Sequence, residues 1–232
     1  MSDQHIIALG GGGFSDGNGI TAIDRYVMAL TGKARPKVCF LGQASAEHPD
    51  YVLRFMTAYA VADADPSWFT LFRSTDRNYR ETILAQDIIY VGGGNTKSML
   101  AIWRDWGMDA VLKDALANGV ILTGVSAGAI CWFEQAVTDS YAPIGVIDSL
   151  GWLSGSACPH YDGEAERRPS VARLMSADEL GAGIAIDNDC AVHYMNGELH
   201  KVITERDDAA AYAISWDGET VVEEKMDVKI VT

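Results

Sequence analysis

The sequence predicts an α/β fold built around a mostly parallel, doubly wound sheet. Through the first two-thirds of the chain, short apolar runs of the kind that form buried strands alternate with amphipathic stretches of helical length. Strands are predicted at 5–9, 38–41, 68–71, 88–91 and 120–122. Helices are predicted at 20–30, 51–61, 80–84 and 108–117, and the last of these ends at Asn118-Gly119, a typical left-handed C-cap.

The pattern changes after residue 150, where one helix is followed by short β runs. The helix is predicted at 169–175 and the β runs at 184–186, 191–195, 201–203, 211–215 and 221–230. Asn196-Gly197 and Asp217-Gly218 are strong hairpin turns between some of these runs. Because no linker rich in proline or serine separates the two parts, we expect one domain, 1–232, with an antiparallel extension packed on the parallel sheet.

The composition excludes several classes of function. The 232 residues are 48% hydrophobic and carry a formal net charge of −14, which disfavours binding to nucleic acid or anionic membranes. No apolar run is long enough to span a membrane, and the start lacks the basic region of a signal peptide. The four cysteines form no Cys-x-x-Cys pair, which indicates free thiols and no metal site. We therefore expect a cytoplasmic protein.

The most informative segment, 120–134, predicts a strand, a tight turn with a serine at its apex, and a helix. Gly124 and Gly128 flank Ser126 in a run of very small residues. A strained nucleophile elbow needs this composition, since strand and helix must approach without Cβ clashes. The N–H of Ala127 could then stabilise an oxyanion. The alternative is a buried strand–helix joint whose serine only caps the helix.

Two glycine-rich loops follow predicted strands. The first, beginning at Gly10, fails the dinucleotide-binding pattern and indicates a tight turn near the active site. The second contains Gly94, followed by Asn95 and Thr96, at the carboxyl end of the strand 88–91, where ligands bind in open α/β sheets. It could supply a second oxyanion donor, or it could be a turn in which Asn95 caps a helix.

His160 is the candidate general base. It lies in a loop after Pro159, just beyond a β run, and a fixed-φ proline suits a positioned histidine. The chemistry of the residues alone leaves open the other four histidines, which are His5, His48, His193 and His200.

Three motifs in this order resemble the peptidase E family of serine peptidases, which includes aspartyl dipeptidases and, more distantly, cyanophycinases. They are the segments 91–96, 124–129 and 159–161, and the similarity extends over about residues 5–205. The resemblance implies a three-layer α/β/α sandwich related to class I glutamine amidotransferases. It further implies Ser126 as nucleophile, His160 as base, an oxyanion hole from Gly94 and Ala127, and no cofactor.

The sequence departs from the family where the residue that orients the histidine is expected. Asn188 stands at a position where family members often carry glutamate, and an amide can hold an imidazole tautomer without stabilising imidazolium by a full charge. Asp139 precedes Pro143-Ile144, as an aspartate does in the dipeptidases, but at a shifted spacing. The third member of the triad is open between Asn188, on which we settle, and Asp139, with Asp187 a further alternative.

Arg167 and Arg168 are the candidate substrate-binding residues. They occupy the stretch downstream of the histidine in which the resemblance places an arginine that holds the substrate's side-chain carboxylate. The insertion of the dipeptidases is missing, so that the spacing is closer to that of cyanophycinases. The alternative is a solvated pair that bridges Glu164 and Glu166.

We therefore expect a serine peptidase that acts on small peptides with an acidic N-terminal residue, Asp, as a monomer or homodimer. A β-aspartyl isopeptidase or cyanophycinase-like hydrolase is the alternative within hydrolases. A non-catalytic small-molecule binding protein on the same fold is the alternative outside them. An α/β-hydrolase esterase is disfavoured, because that fold places its histidine near the C-terminus.

Overall fold

A computed structural model of the protein describes residues 3–17, 19–73 and 78–232. The strands are β1 (His5–Leu9), β2 (Lys37–Leu41), β3 (Asp65–Phe69), β4 (Ile88–Val91), β5 (Ile121–Val125), β6 (Phe133–Thr138), β7 (Gly145–Asp148), β8 (Leu153–Cys158), β9 (Gly183–Ile186), β10 (Cys190–Met195), β11 (Glu198–Thr204), β12 (Ala211–Trp216), β13 (Val221–Lys225) and β14 (Val228–Ile230). The α-helices are α1 (Ala22–Ala29), α2 (Pro49–Val61), α3 (Tyr79–Leu84), α4 (Thr96–Trp106), α5 (Met108–Ala117), α6 (Ala127–Ile130) and α7 (Arg167–Ser176).

The main sheet has eight strands in the order β14-β11-β10-β1-β5-β4-β2-β3. Five of these strands, β1, β5, β4, β2 and β3, run parallel to one another. Next to β1, the strand β10 pairs antiparallel with it, and β11 pairs antiparallel with β10. The edge strand β14 pairs parallel with β11. The α/β fold and the parallel sheet predicted from the alternation of apolar runs are confirmed.

The central strands are apolar on both faces, because both faces are covered. On one face, side chains such as Ile7 and Leu9 pack against α1 and α2. On the other face, Ile6 and Ala8 pack against α4 and α5. Successive residues of a strand point to opposite faces, so that a doubly covered strand must be apolar at every position. This requirement produces the continuous apolar runs from which the strands were predicted.

A second sheet was not predicted. It has six strands in the order β13-β12-β9-β8-β6-β7 and mixes parallel with antiparallel pairs. The β runs after residue 150, which we expected to form one antiparallel extension packed on the main sheet, divide between the two sheets. The chain crosses from the second sheet to the main sheet in the three residues 187–189, between β9 and β10.

Several predicted elements differ in their limits. The strand expected at 68–71 is β3, which begins earlier and includes Pro66. β3 is an edge strand, where a residue without an N–H is tolerated. The single β run expected at 221–230 is two strands, β13 and β14, which belong to different sheets. The helix α4 was not among the predicted helices and was considered only as a helix that Asn95 could cap. Within the described ranges, every helix is too short or too polar to cross a bilayer.

A cluster of histidines lies on three neighbouring strands of the main sheet, β1, β10 and β11. The His193 side chain is buried; its Nδ1 is 2.7 Å from the Tyr26 hydroxyl and its Nε2 is 2.9 Å from the His5 ring. Its ring also meets the His200 ring edge to face at 5.2 Å. Burial, followed by the neighbouring histidines and Lys201, lowers the pKa of His193 to about 3. The ring is therefore neutral in the folded protein at neutral pH.

We expect His193 to make the fold sensitive to acid. The unfolded chain takes up a proton on this residue at its ordinary pKa of 6.5, whereas the folded protein does so only near 3. Stability is therefore lost as the pH falls from about 6.5 towards 3, and each pKa unit is worth about 1.4 kcal/mol. In urea titrations at several pH values, His193→Gln should flatten the slope of the unfolding free energy against pH. Equal slopes in the wild type and in His193→Gln would contradict this assignment.

Candidate active site

Ser126 occupies a strained turn between β5 and α6. Its backbone has φ 56° and ψ −113°, a conformation that L-residues rarely adopt, and its side chain makes no capping hydrogen bond to the helix. Its carbonyl accepts the N–H groups of Ala129 and Ile130 at 2.9 and 3.0 Å, which fixes the turn. The residues on either side are buried, whereas Ser126 is partly exposed. This geometry is that of an elbow, and the alternative of a serine that merely caps the helix is not observed.

Contact between backbones holds the elbow in place. A Cβ atom on Gly124 would lie 2.4 Å from the carbonyl oxygen of Gly128, and one on Gly128 would lie 2.2 Å from that of Val91. Both distances are shorter than any real Cβ contact, so that α6 can rest on β4 and β5 only because these residues are glycine. The small residues around Ser126 therefore permit the strained serine.

His160 lies two residues beyond β8 and is joined to Asn188. The Nδ1 atom of the ring is 2.8 Å from Oδ1 of Asn188. An amide oxygen can only accept, so Nδ1 carries the proton and Nε2 is left free to accept one. The backbone N–H of His160 donates to the carbonyl of Gly10 at 3.2 Å, which ties the histidine to the end of β1. The structure thus brings together two of the residues singled out in the sequence.

Two glycines enclose the amide of Asn188. A Cβ atom on Gly11 would lie 2.0 Å from Oδ1 of Asn188 and 2.7 Å from Nδ1 of His160. On Gly163, it would lie 2.3 Å from Nδ2 of Asn188. The backbone N–H of Asn188 donates to Oδ1 of Asp162 at 2.8 Å. The sequence indicated a turn near the active site at Gly10–Gly13, but gave no signal for the contact of Gly11 with Asn188 or for the role of Gly163.

The second glycine loop lies beside the elbow. A Cβ atom on Gly93 would be 3.3 Å from Cβ of Ser126. Asn95 does cap α4, since its Oδ1 accepts the N–H of Ser98 at 2.8 Å, and its own N–H donates to Ala44 at 2.8 Å. In the part of the chain that the structure describes, the N–H groups of Gly94 and Ala127 have no acceptor. Both roles considered for this loop are therefore compatible.

A buried network behind this loop was missed by the sequence analysis. Glu47 is buried and accepts from Nε2 of Gln43 at 3.0 Å and from the N–H of Leu71 at 2.5 Å. These bonds hold the segment that carries Ala44, on which Gly94 rests. The hydroxyl of Tyr51 accepts the N–H of Gly93 at 3.2 Å. Isolated polar residues in predicted loops carry no pattern that could have identified this support.

Asp139, the alternative third member of the triad, pairs with an arginine instead of with the His160 ring. In the described ranges, no hydrogen bond joins it to the His160 ring, and its Oδ2 is 3.4 Å from Nη2 of Arg167. The Arg167 side chain is 1% exposed, and its Nε donates to Glu164 at 2.6 Å. Its guanidinium is therefore buried between two carboxylates instead of being open to a ligand. Asp139 itself lines a cavity of about 310 Å³ together with Ser126.

Arg168 and Asp187 occupy the other side of the histidine loop. The guanidinium of Arg168 lies 4.1 Å from the centre of the Tyr161 ring and is paired with Glu223, but it is 43% exposed. Asp187 is buried, and its Oδ2 accepts the N–H of Ala210 at 3.0 Å. Burial raises the pKa of Asp187. No hydrogen bond among the described residues connects Asp187 to His160.

Comparison with known proteins identifies the family of this chain. The sequence profile described as peptidase family S51 matches residues 6–202. The chain belongs to peptidase family S51. A relative from Bacillus subtilis (strain 168), "Uncharacterized peptidase YgaJ", is 41% identical over 226 residues, which are 97% of this chain and 98% of the relative. The family and this relative support a peptidase, and the resemblance to peptidases seen in the sequence is confirmed.

Two solved structures share the fold of this S51 chain. A peptidase from an acI-B1 Actinobacterium is 15% identical with a TM-score of 0.71, covering 97% of this chain and 94% of its own. A protein from Listeria monocytogenes EGD-e is 19% identical with a TM-score of 0.62, covering 86% of this chain and 98% of its own. At such identities the likeness shows the fold alone, and it confirms the α/β architecture.

Adding one methyl group at Gly11 should disable the site without unfolding the protein. The φ angle of Gly11 is outside the left-handed region, so alanine fits the backbone, but its Cβ collides with Asn188 and His160. Because displacements of about 1 Å cost on the order of 100-fold in rate, kcat of Gly11→Ala should fall at least that far. Gly181→Ala is the control, since its Cβ would approach only Oε1 of Gln135, at 3.4 Å. Equal turnover by the two variants would contradict the contact.

Proposed function

We propose that this S51 chain is a serine peptidase in which Ser126 is the nucleophile, His160 the general base and Asn188 the residue that orients the histidine. The observation that carries the proposal is the strained, partly exposed serine at the end of one sheet combined with a histidine whose Nδ1 is held by an amide. A serine in an elbow and a histidine with a fixed tautomer are the two elements that acyl transfer through serine requires.

In the proposed mechanism, Nε2 of His160 takes the proton of Ser126 as its Oγ attacks the scissile carbonyl. The N–H groups of Gly94 and Ala127, which lack acceptors among the described residues, stabilise the negative oxygen of the tetrahedral intermediate. The imidazolium then protonates the leaving amine, and water hydrolyses the acyl-enzyme by the same route. Asn188 keeps the tautomer but supplies no negative charge, so that the enzyme should be modest in rate. Each step uses this chain's own groups.

The proposed substrates are small peptides whose first residue is acidic. Arg168 supports this specificity better than Arg167, because Arg168 is 43% exposed while Arg167 is 1% exposed and flanked by Glu164 and Asp139. A guanidinium suits a carboxylate through two parallel hydrogen bonds. The stacking of Arg168 on Tyr161, the residue after His160, places the cation beside the catalytic loop.

Replacing the nucleophile tests the chemistry. Ser126→Ala should fold normally and lower kcat by about 10³-fold or more, since the triad acts as a unit. A fluorophosphonate probe should label the wild-type protein at Ser126 and leave Ser126→Ala unlabelled. Ser176→Ala removes an exposed serine on α7 and should change neither labelling nor rate. If Ser126→Ala were folded and as active as the wild type, the proposal would be wrong. A wild-type protein that neither reacts nor hydrolyses would be a binding protein.

Replacing Arg168 tests the specificity. Arg168→Met should reduce kcat/KM for an Asp-first dipeptide by the equivalent of about 2–4 kcal/mol, and far less for an Ala-first one, since only the former loses a charged partner. Arg80→Met is a matched control, because Arg80 is also an exposed arginine paired with a carboxylate, that of Asp114. Equal losses on both dipeptides would make Arg168 structural. A preference for β-aspartyl peptides in the same panel would identify an isopeptidase.

A further inference from the structure

The cavity beside the nucleophile has walls of opposite character. It measures about 310 Å³ and is lined by Gly94, Asn95, Ser126, Asp139 and Ser140. On one side lie Gly94 and Ser126, which the proposed mechanism uses for the scissile carbonyl. On the other side lies Asp139, whose carboxylate is the charged group of this lining. Because Ser126 and Asp139 both line it, a ligand bound at Ser126 occupies the same cavity as the Asp139 carboxylate.

The carboxylate of Asp139 belongs to a group with an excess of negative charge. Arg167 pairs with both Asp139 and Glu164, so that one guanidinium serves two carboxylates. Arg167 is 1% exposed, whereas the Asp139 side chain is 59% exposed. The neighbouring cation, Lys97, has its Nζ over the Tyr141 ring at 5.3 Å and forms no ion pair among the described residues. The unbalanced negative charge is therefore the one that reaches the cavity.

The position of Asp139 is fixed relative to the proposed oxyanion loop. The next residue, Ser140, accepts two hydrogen bonds. Its carbonyl oxygen accepts from Nδ2 of Asn95 at 3.0 Å, and its hydroxyl oxygen accepts from the backbone N–H of Lys97 at 3.1 Å. The Thr138 hydroxyl is 2.8 Å from that of Ser140. Two hydrogen bonds thus join the end of β6 to the start of α4, and the third fixes the Ser140 hydroxyl. Asp139 is held at a set distance from the loop instead of moving freely on the surface.

We propose that Asp139 binds the free α-amino group of the substrate's first residue and so restricts the enzyme to unblocked N-termini. This inference rests on the proposed serine peptidase function. The amino nitrogen lies two bonds from the scissile carbonyl carbon, about 2.5 Å away, when the enzyme removes the first residue. It must therefore enter the same small cavity. An ammonium group there restores the charge balance that Arg167 leaves incomplete, and it gains a charge-assisted hydrogen bond.

Binding to the inactivated protein tests this inference separately from catalysis. We would titrate Ser126→Ala and the double variant Ser126→Ala/Asp139→Asn with Asp-Leu and Ala-Leu, each free and N-acetylated, by calorimetry. We would add succinyl-Leu, which is Asp-Leu without its amino group. Ser126→Ala should bind the free peptides at least about 30-fold more tightly than the blocked or desamino forms. The double variant should lose most of that preference and bind the blocked forms as before.

A second double variant separates binding of the amine from disruption of the ion pair. Ser126→Ala/Glu164→Gln also removes a carboxylate from Arg167, but it keeps Asp139. Because Arg167 then neutralises Asp139 alone, the preference for free amines should weaken but stay well above that of Ser126→Ala/Asp139→Asn. The inference is overturned if Ser126→Ala binds free and desamino peptides equally, if it binds none of them at millimolar concentration, or if both double variants lose the preference alike. Hydrolysis by the wild-type protein decides the serine peptidase proposal independently, because amine-dependent binding without hydrolysis would sustain this inference and refute that function.

Discussion

The close contact of backbones at Gly124, Gly128 and Val91 is the constraint on which the rest of the site depends. Because α6 rests directly on β4 and β5, Ser126, which joins β5 to α6, must adopt a backbone conformation that costs on the order of 1–3 kcal/mol. The surrounding core repays this cost, since α6 and the strands beneath it are buried. The same contact fixes Ser126 beside Gly93, and so defines where a carbonyl group can be placed.

The cationic side chains near Ser126 are engaged by other residues of the protein. Asn188 is neutral, Arg167 is buried against two carboxylates, and Arg168 is stacked and paired at the rim. The backbone N–H groups of Gly94 and Ala127 are thus left as the donors beside Ser126 that have no acceptor among the described residues. In the proposed mechanism these fixed dipoles stabilise the developing oxyanion, and the charged side chains are left to select the substrate.

Much of the main sheet could be predicted from the sequence, because strands buried on both faces must be apolar throughout. The elbow was also visible, because the small residues that its contacts require stand together in one short segment of the sequence. The second sheet as a whole was missed because strands such as β7 (Gly145–Asp148) are short and lack a buried apolar run, a pattern that loops share. The clamp of Gly11 and Gly163 on Asn188 joins residues far apart in the sequence, and no local pattern records such contacts.

The three-residue crossover between β9 and β10 gives the site a property that neither sheet has alone. Ser126 ends a strand of the main sheet, whereas His160 follows a strand of the second, and Asn188 lies where the chain passes from one to the other. The distance between the Ser126 and His160 side chains therefore depends on how the sheets are seated on each other. The edge-to-face contact of Phe133 in one sheet with Tyr194 in the other, at 5.7 Å, is part of that seating. A substitution that repacks this interface would move the serine and the histidine relative to each other while leaving both residues unchanged.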